Sequence, residues 1–371
     1  MTALSFSDRP SIPRPLRSLV ALLFVFAAVG SAQSQTVLWS EEFDSPSTLD
    51  CSVWSFDIGD GCAEGICGWG NAEFQDYTRD PANVRVENGQ LIITAQREQI
   101  GGGPSYAFTS ARLKTENRMT FQYGTVEARI QLPDLADGLW PAFWTLGNNI
   151  STVGWPDCGE IDIFEMGNAG AIAEGVVNRR VGSTAHWESG DGYAGYGLSY
   201  TAPSDLNDTF HIYRMEWTPS AISTYIDGIW IWTIGISNPS SFDGEEFHAP
   251  HFLLLNMAVG GNYTGIVDDE ADISAPFPAE YRVDWIRIYD NGHTILGGTG
   301  PRGPLSLDRA GNDVELQFAT DVGISYDIVY KTNLSDSTWT VLQTVVGDGS
   351  VMSVFDPIGA PGAYYRVVSA D

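Results

Sequence analysis

The chain of 371 residues is longer than one hydrophobic core usually serves, so we expect a large domain and a small one. Its formal net charge of -28 excludes nucleic acid as a natural partner, because the phosphates would be repelled, and disfavours an anionic membrane surface. This acidity suits a neutral or cationic partner but identifies no substrate.

The first 32 residues predict a signal peptide. Arg9, Arg14 and Arg17 precede the apolar run from Leu19 to Gly30, and small residues follow. That run is well short of the roughly 20 residues that a membrane-spanning helix needs. We therefore expect residues 1–32 to be removed and the protein to be secreted, extracellular or retained in the periplasm or at the cell surface.

Residues 36–290 predict an all-β domain. Short runs rich in Val, Ile, Thr and aromatic residues are separated by Gly, Asn, Asp and Pro, without a long 3.6-residue periodicity. The alternation is clearest from Gly124 to Leu132, where apolar and polar residues take opposite faces. The pattern favours a β-jelly-roll sandwich of two sheets.

Four cysteines lie in the first half of a chain that we expect to enter an oxidising compartment, so at least one disulfide is predicted. Cys62 and Cys67 flank a glycine-containing turn and form the best local pair. The other two are Cys51 and Cys158, and four cysteines permit three connectivities that the spacing does not rank. A zinc site is disfavoured, because no second C-x-x-C or paired histidine accompanies them.

The segment from Gly159 to Met166 places three carboxylates among hydrophobic neighbours. On a regular strand Glu160 and Asp162 face the same way, whereas Glu165 faces the other. A β-bulge near Ile163 and Phe164 would return Glu165 to the common face, and bulges are frequent beside active sites.

Two carboxyl groups on one face suit the hydrolysis of a glycosidic bond. In a retaining glycosidase one attacks the anomeric carbon and the other protonates the leaving oxygen, at a separation of roughly 5 to 5.5 Å. Asp162, between Glu160 and Glu165, is predicted to influence their proton distribution. A merely structural strand would more often interleave Lys, Thr or Arg with its acidic residues.

The stretch from Leu139 to Trp144 is dense in aromatic residues, on which the apolar faces of sugar rings can stack. Trp140 and Trp144 are predicted to be sugar platforms, and Phe143, on the opposite face of a strand, a core residue. His186 is a polar residue in a strand-like stretch and a further site candidate.

The glycine- and proline-rich segment GGTGPRGP, from Gly297 to Pro304, predicts a linker, which we assign to residues 291–304. Residues 305–371 carry further strand-like runs and predict a small β-sandwich accessory domain without clustered acids or bases. Its role remains open between a spacer, a carbohydrate-binding module and a sorting appendage.

Residues 37–290 resemble glycoside hydrolase family 16, most closely its laminarinase (endo-β-1,3-glucanase) branch. The resemblance is carried by several ordered motifs: WSEEF from Trp39, GWGNAE from Gly68, YGTVEAR from Tyr123, GLWPAFW from Gly138, GEIDIFE from Gly159, FHIYRMEW from Phe210, LNMAVGG from Leu255 and VDWIRIY from Val283.

The resemblance implies a jelly roll with a concave substrate cleft, Glu160 as nucleophile, Glu165 as acid/base and Asp162 as their partner. It also implies sugar-contacting residues at Asn71, Glu73, Arg112, Trp140, Trp144, His186 and Asn256. A structural Ca²⁺, at Glu42, Gly89 and Asp284, is the one metal that it suggests.

The sequence therefore predicts a secreted enzyme, monomeric and without an organic cofactor, that hydrolyses internal β-1,3 bonds of laminarin-like β-glucans with retention. One alternative is a galactan hydrolase of the agarase, porphyranase or carrageenase type on the same fold. Another is a non-catalytic β-glucan-binding protein, which intact Glu160 and Glu165 disfavour.

Overall fold

The computed structural model describes most of the chain beyond residue 35. The described residues are 36–44, 49–50, 53–99, 106–190, 192–237, 243–297, 302–310, 313–320, 325–332, 338–347, 350–356 and 363–369. The predicted signal peptide, residues 1–32, and Cys51 lie outside the described residues.

The described chain is built almost entirely of strands, with short helical turns between some of them. In the first half these are β1 Val37–Glu41, β2 Ser55–Asp57, β3 Gln75–Tyr77, β4 Val84–Glu87, β5 Gln90–Gln99, β6 Tyr106–Ser110, β7 Arg112–Lys114, β8 Thr120–Gln122, β9 Gly124–Gln131, β10 Leu139–Gly147, α1 Ile150–Val153, β11 Glu160–Glu165, α2 Ala169–Ala173 and β12 Arg180–Glu188. There follow β13 Tyr193–Thr201, β14 Phe210–Trp217, β15 Ala221–Ile226, β16 Ile229–Gly235, β17 His251–Val259, β18 Ala279–Tyr289, β19 Ile295–Gly297, β20 Arg302–Ala310, β21 Asp313–Ala319, β22 Ser325–Lys331, β23 Thr340–Val346, β24 Val351–Asp356 and β25 Tyr364–Ser369. The 3-10 turns are Cys67–Gly70, Glu245–His248 and Glu270–Asp272.

Two large, mainly antiparallel sheets form the main body of the described chain. The first, here called the cleft sheet, has the strand order β13-β12-β11-β10-β17-β7-β2, with β8 beside β17 and β19 beside β8. The second, the outer sheet, has the order β16-β15-β14-β9-β18-β5-β6-β3, with β1 beside β18 and β4 beside β5. The predicted all-β jelly-roll sandwich is confirmed.

The core between the two sheets follows from the alternation of apolar residues along each strand. On β9, Val126, Ala128 and Ile130 are fully buried, as their spacing predicts. Strand β17 is buried along its whole length because it lies in the middle of the cleft sheet, with one face on the core and the other at the bottom of the cleft. It pairs with β10, which in turn pairs with β11, the strand that carries the acidic segment.

The last described residues form two three-stranded sheets, β20-β21-β24 and β23-β22-β25. They enclose a small core of their own, made of Leu316, Phe318, Tyr326, Ile328, Val354 and Val367. Within the predicted linker, residues 295–297 form β19 and pair with β8, and residues 302–304 belong to β20, whereas residues 298–301 lie outside the described residues. Local glycine content does not reveal these pairings, and the domain limits at 291–304 stay a prediction.

Candidate active site

Strand β11 carries Glu160, Asp162 and Glu165 and is bulged where the spacing predicts. Phe143 of β10 pairs with Phe164, and the next residue, Trp144, pairs with Asp162, so Ile163 has no partner of its own. The pairing with β12 shifts in the same interval. Ile163 and Phe164 are both fully buried, so two consecutive side chains point into the core. The bulge thereby returns Glu165 to the face of the other two carboxylates.

Glu160 lies at the start of β11 and is held by a residue from the preceding turn. The indole Nε1 of Trp155 donates a hydrogen bond of 2.8 Å to Glu160 Oε2. Trp155 itself is 51% exposed and lines the same cleft as Glu160. One oxygen of this carboxylate is thereby oriented by a neutral donor.

Asp162 is 3% exposed and contacts the imidazole of His186, which β12 places beside it. The distance from His186 Nε2 to Asp162 Oδ2 is 3.0 Å, and the other ring nitrogen, Nδ1, lies 2.7 Å from the hydroxyl of Tyr193 on β13. One carboxylate oxygen of Glu160, one carboxylate oxygen of Asp162 and one ring nitrogen of His186 all lie within 4.8 Å of one another. Asp162 is therefore in direct electrostatic reach of Glu160.

Glu165, at the end of β11, is held by an indole as well. Trp140 Nε1 donates to Glu165 Oε1 at 2.9 Å, and the Trp140 ring stacks on Tyr263 with centroids 5.0 Å apart and an interplanar angle of 14°. The Tyr263 hydroxyl donates to the backbone oxygen of Glu165 at 3.4 Å. Trp140 is thus fixed by stacking and fixes the carboxylate in turn.

Burial and mutual repulsion keep these three acids from ionising together. Burial, together with the charge of Asp162, raises the pKa of Glu160 to about 8, while the charge of His186 and the bond from Trp155 oppose this rise. Burial raises the pKa of Asp162 to about 7. Burial and the charge of Asp162 also raise the pKa of Glu165 well above its ordinary range, which favours the protonated form of this group.

The cleft in front of these residues has a volume of about 450 Å³. Six of the seven predicted sugar-contacting residues line it, namely Asn71, Glu73, Arg112, Trp140, Trp144 and Asn256. His186 is not among the lining residues and reaches the site from the neighbouring strand β12, through Asp162. Phe143 is fully buried in the core, while Trp140 and Trp144 are only partly buried on the cleft side.

A hydrogen-bonded chain connects the lining residues on the β7 side of the cleft. Trp144 Nε1 donates to Asn256 Oδ1 at 2.7 Å, and Asn256 Nδ2 donates to the Tyr77 hydroxyl at 3.1 Å. That hydroxyl donates to Glu73 Oε2 at 3.0 Å, and Asn71 Nδ2 donates to the other oxygen of Glu73 at 3.3 Å. The chain makes Trp144 a rigid element of the wall.

Arg112 lies under this wall, with its guanidinium over the rings of Trp69, Tyr77 and Trp144 at 4.8, 5.0 and 5.3 Å. Its Nη1 is 3.8 Å from Asp57 Oδ2, and Lys114 Nζ is 2.8 Å from the other oxygen of the same carboxylate. The two cations that line the described part of the cleft are therefore both next to carboxylates.

A disulfide joins Cys62 and Cys67 in the loop at the β2 end of the cleft. Glu64 and Ile66, inside this closed loop, line the cleft, so the loop builds its end wall. Cys158 is a buried free thiol that packs with Leu146 beside Glu160.

The two carboxylates suggested for calcium, Glu42 and Asp284, are paired with arginines. Both oxygens of Glu42 accept from the guanidinium of Arg287, at 2.8 and 2.9 Å, and Asp284 Oδ2 accepts from Arg129 at 2.6 Å. A cation bound by these carboxylates would have to displace two guanidinium groups, so the arrangement fits the ion poorly. Calcium stays a prediction that the observed ion pairs disfavour.

Sequence reasoning missed several residues of the site. Trp155 had a usable signal, because it lies in a Gly-Trp-Pro turn only five residues before Glu160. Tyr77 and Tyr263 had none, since each reaches the site over a long sequence distance. Tyr193 is only seven residues from His186, but its contact depends on the register of β12 and β13. Their contribution is visible only once the sheet register is known.

An open cleft with stacked aromatic walls and a row of partly protonated carboxylates on one strand defines a glycosidic-bond hydrolase of the two-carboxylate class. The family model for glycosyl hydrolases family 16 matches residues 71–287. The chain belongs to this family, and the prediction of a glycoside hydrolase related to the laminarinases is confirmed.

Several named proteins are similar to this chain. The clotting factor G alpha subunit of Tachypleus tridentatus is 36% identical over 278 residues, which is 73% of this chain and 36% of that protein. A beta-glucanase of Rhodothermus marinus is 35% identical over 289 residues, 73% of this chain and 92% of the relative. The solved laminarinase catalytic domain of Thermotoga maritima is 40% identical, covers 69% of this chain and 98% of its own, and has a TM-score of 0.59.

No helix in the described part of the chain has the length and apolarity that crossing a bilayer would require.

Proposed function

We propose that this protein hydrolyses internal β-1,3-glucosidic bonds of laminarin-like β-glucans by double displacement, with retention of anomeric configuration. The observation that carries the proposal is the bulged strand β11, which presents Glu160, Asp162 and Glu165 to one cleft. The similarity to beta-glucanases and laminarinases supports the substrate class. The proposal needs no organic cofactor.

In the first step Glu165 donates its proton to the glycosidic oxygen while a Glu160 oxygen bonds to the anomeric carbon and the glycosidic bond breaks. The raised pKa of Glu165 supplies the protonated acid at neutral pH. In the second step a water molecule attacks the anomeric carbon, Glu165 takes its proton, and Glu160 leaves as the carboxylate.

Glu160 must be ionised to attack, although burial favours its neutral form. The hydrogen bond from Trp155 stabilises its charged form, and a proton held by Asp162 relieves the repulsion between the two groups. The Glu160 and Asp162 pair therefore titrates as a unit, and the active form is the one in which the proton rests on Asp162.

The composition of the cleft supports a neutral glucan over a sulfated galactan. Lys114 is paired with Asp57 and Glu116, and the charge of the buried Arg112 is opposed by Asp57 at 3.8 Å, so the cleft offers little net positive charge for sulfate. The aromatic lining at Trp140 and Trp144 suits the apolar faces of sugar rings.

We also propose that the protein is secreted and acts as a monomer. The signal-peptide pattern in residues 1–32 supports secretion, and the disulfide between Cys62 and Cys67 suits an oxidising exterior. N-terminal sequencing of the mature protein tests secretion, and light scattering tests the oligomeric state.

The decisive experiment incubates the protein with laminarin, curdlan, lichenan, agarose and carrageenan and follows reducing ends. We expect the fastest release from laminarin, and proton NMR at early times should show the β-anomer of the product. Release from agarose or carrageenan alone would overturn the glucan assignment. Binding of laminarin without product would instead identify a β-glucan-binding protein.

A further inference from the structure

Tyr193 is the first residue of β13, the edge strand of the cleft sheet, and 57% of its surface is exposed. It does not line the cleft, and its polar contact is with His186 rather than with any of the three carboxylates. Its ring nevertheless contacts Trp155, which donates to Glu160, and its hydroxyl contacts His186, which is hydrogen-bonded to Asp162. An exposed tyrosine with two such contacts is explained poorly by core packing.

The first contact is with Trp155. The two rings stack with centroids 5.4 Å apart and an interplanar angle of 29°. Because Trp155 is half exposed and lies in a turn, this stacking restricts the direction in which its Nε1 points. That nitrogen is the one that donates to Glu160.

The second contact is with His186. The Tyr193 hydroxyl lies 2.7 Å from Nδ1, and the two rings stack with centroids 5.7 Å apart. Asp162 shares a hydrogen bond with Glu160, and the proton that Asp162 holds in the active form lies in that bond, so Oδ2 accepts from Nε2 of His186. In the neutral imidazole Nδ1 then accepts from Tyr193, which fixes the tautomer.

Strand β13 also leaves room for this contact. Gly195 pairs directly with His186, and a Cβ at that position would lie 2.7 Å from the Tyr193 hydroxyl and 3.2 Å from His186 Nδ1. The backbone angles at Gly195 are open to other residues, since its φ lies outside the left-handed region. The glycine therefore permits close approach of the side chains rather than a special turn.

We propose that Tyr193 is a positioning residue for Glu160 and Asp162, which it serves by holding the Trp155 indole and the His186 imidazole in place. The inference rests on the proposed function, because it concerns the ionisation of the nucleophile. If the Trp155 indole or the His186 imidazole moves out of place, the negative charge on Glu160 is less stabilised. A smaller fraction of the enzyme is then active at low pH.

Other charged and titratable groups also act on Glu160. They are Asp162 and Glu165 on β11, His186 on β12, Arg112 on β7, Cys158 ahead of β11 and Tyr193 itself. Replacing Tyr193 by Phe changes none of the other groups chemically. A shift in the pH profile of this variant therefore reports the loss of the hydroxyl contact.

The test compares Tyr193→Phe, which removes the hydroxyl and keeps the stacking, with Gly195→Ala, which keeps the hydroxyl and pushes it from His186. On laminarin we expect both to lower kcat about fivefold to tenfold with KM nearly unchanged, and to move the acidic limb of the kcat/KM profile to higher pH. Tyr193→Ala, which loses both contacts, should show the largest effect.

Two variants, one on β13 and one on β16 of the outer sheet, serve as controls. Tyr196→Phe alters another exposed tyrosine of β13, which makes an edge-on contact with Trp232 instead. Gly235→Ala fills open space on β16, where the nearest atom is 4.0 Å from the added Cβ. Both should match the wild type in kcat and in pH profile.

The proposal is overturned if Tyr193→Phe keeps the wild-type profile, or if it raises KM alone, which would make Tyr193 a sugar-binding residue. A readout independent of turnover is the ¹⁵N NMR signal of His186 Nδ1, which should shift in both Tyr193→Phe and Gly195→Ala because the contact with the Tyr193 hydroxyl is lost. Failure of the proposed function itself would show separately, as full activity of Glu160→Gln.

Discussion

The outward faces of the two sheets carry acidic side chains in opposite electrostatic settings. On the outer sheet Glu280 lies between Arg85, at 2.5 Å, and Arg282, and Asp284 is paired with Arg129. On the cleft sheet, Glu160, Asp162 and Glu165 are crowded together and are met by indole N–H groups and an imidazole. Strand alternation places both rows on an outward face, so the difference lies in the depth of burial and in the partners.

The partners move the pKa values in opposite directions. Partial burial opposes ionisation of Glu280, but the bonds from Arg85 and Arg282 outweigh it and lower its pKa. Burial and like charge raise the pKa of Glu160 and Glu165. Glu280 therefore stabilises the fold when ionised, while Glu160 and Glu165 destabilise it, which is the expected cost of a reactive site.

The largest expected effect follows from Glu160→Gln, which removes the oxygen that we propose attacks the anomeric carbon while preserving size. We expect the rate on laminarin to fall by at least about a thousandfold. Glu280→Gln, the matched change on the outer sheet, should leave the rate unchanged. Equal losses in both variants would show that the contrast between the sheets has no bearing on catalysis.

A smaller loss of activity is expected for Trp140→Phe. This change keeps most of the ring that stacks on Tyr263 but removes the N–H that donates to Glu165. That bond lowers the pKa of Glu165, so its loss should move the basic limb of the pH profile to higher pH and reduce kcat about tenfold. An unchanged basic limb would mean that Glu165 is not the group titrating there.

The stability of Glu165→Gln should depend on pH in a defined sense. Between the ordinary carboxyl pKa and the raised one, the folded wild type keeps a proton that the unfolded chain has lost, so its stability falls as pH rises. The variant lacks this dependence. Urea unfolding should therefore show similar stability at pH 4 and a gain of about 1 to 3 kcal/mol for the variant at pH 8.

The control for that measurement is again Glu280→Gln. The lowered pKa of Glu280 means that its charge contributes stability above its unfolded pKa, which is lost as pH falls through the folded pKa. The substitution should thus slightly destabilise the protein at pH 8 and have no effect at low pH. A gain at pH 8 in both variants would remove the distinction between the sheets.

The smallest effect is expected for Arg287→Gln on the outer sheet, which breaks the two hydrogen bonds to Glu42. Both side chains are about one-third exposed, so the loss should be at most about 1 kcal/mol, with unchanged activity. Because Glu42 is paired with Arg287 in the wild type, adding Ca²⁺ should shift the Tm of the wild-type protein by less than about 1 °C. A large calcium-dependent rise would restore the predicted metal site.

Much of the catalytic strand was predictable from local sequence. The odd spacing between Asp162 and Glu165 requires one extra residue, and the bulge at Ile163 supplies it. The alternation around Phe143 likewise separates the core residue from Trp140 and Trp144. These features depend on the two-residue period of a strand, which near neighbours determine.

The residues that hold the three carboxylates and their hydrogen-bond donors in place were not predictable from local sequence, with the exception of Trp155. Gly195 lies opposite His186 only because β12 and β13 adopt one register, and that register brings Tyr193 to the imidazole. The linker shows the same limit, since residues 295–297 pair with β8, which is far away in sequence.

The sequence by itself determined which acids share a strand, that one bulge must align them, and which family the chain resembles. The tertiary structure alone decided which donors reach each acid, and hence how far burial and repulsion raise its pKa. The physical reason is the sequence distance over which each property is set. The face of a strand on which a side chain lies depends on adjacent residues, whereas its burial and its hydrogen-bond partners depend on how separate strands pair and pack.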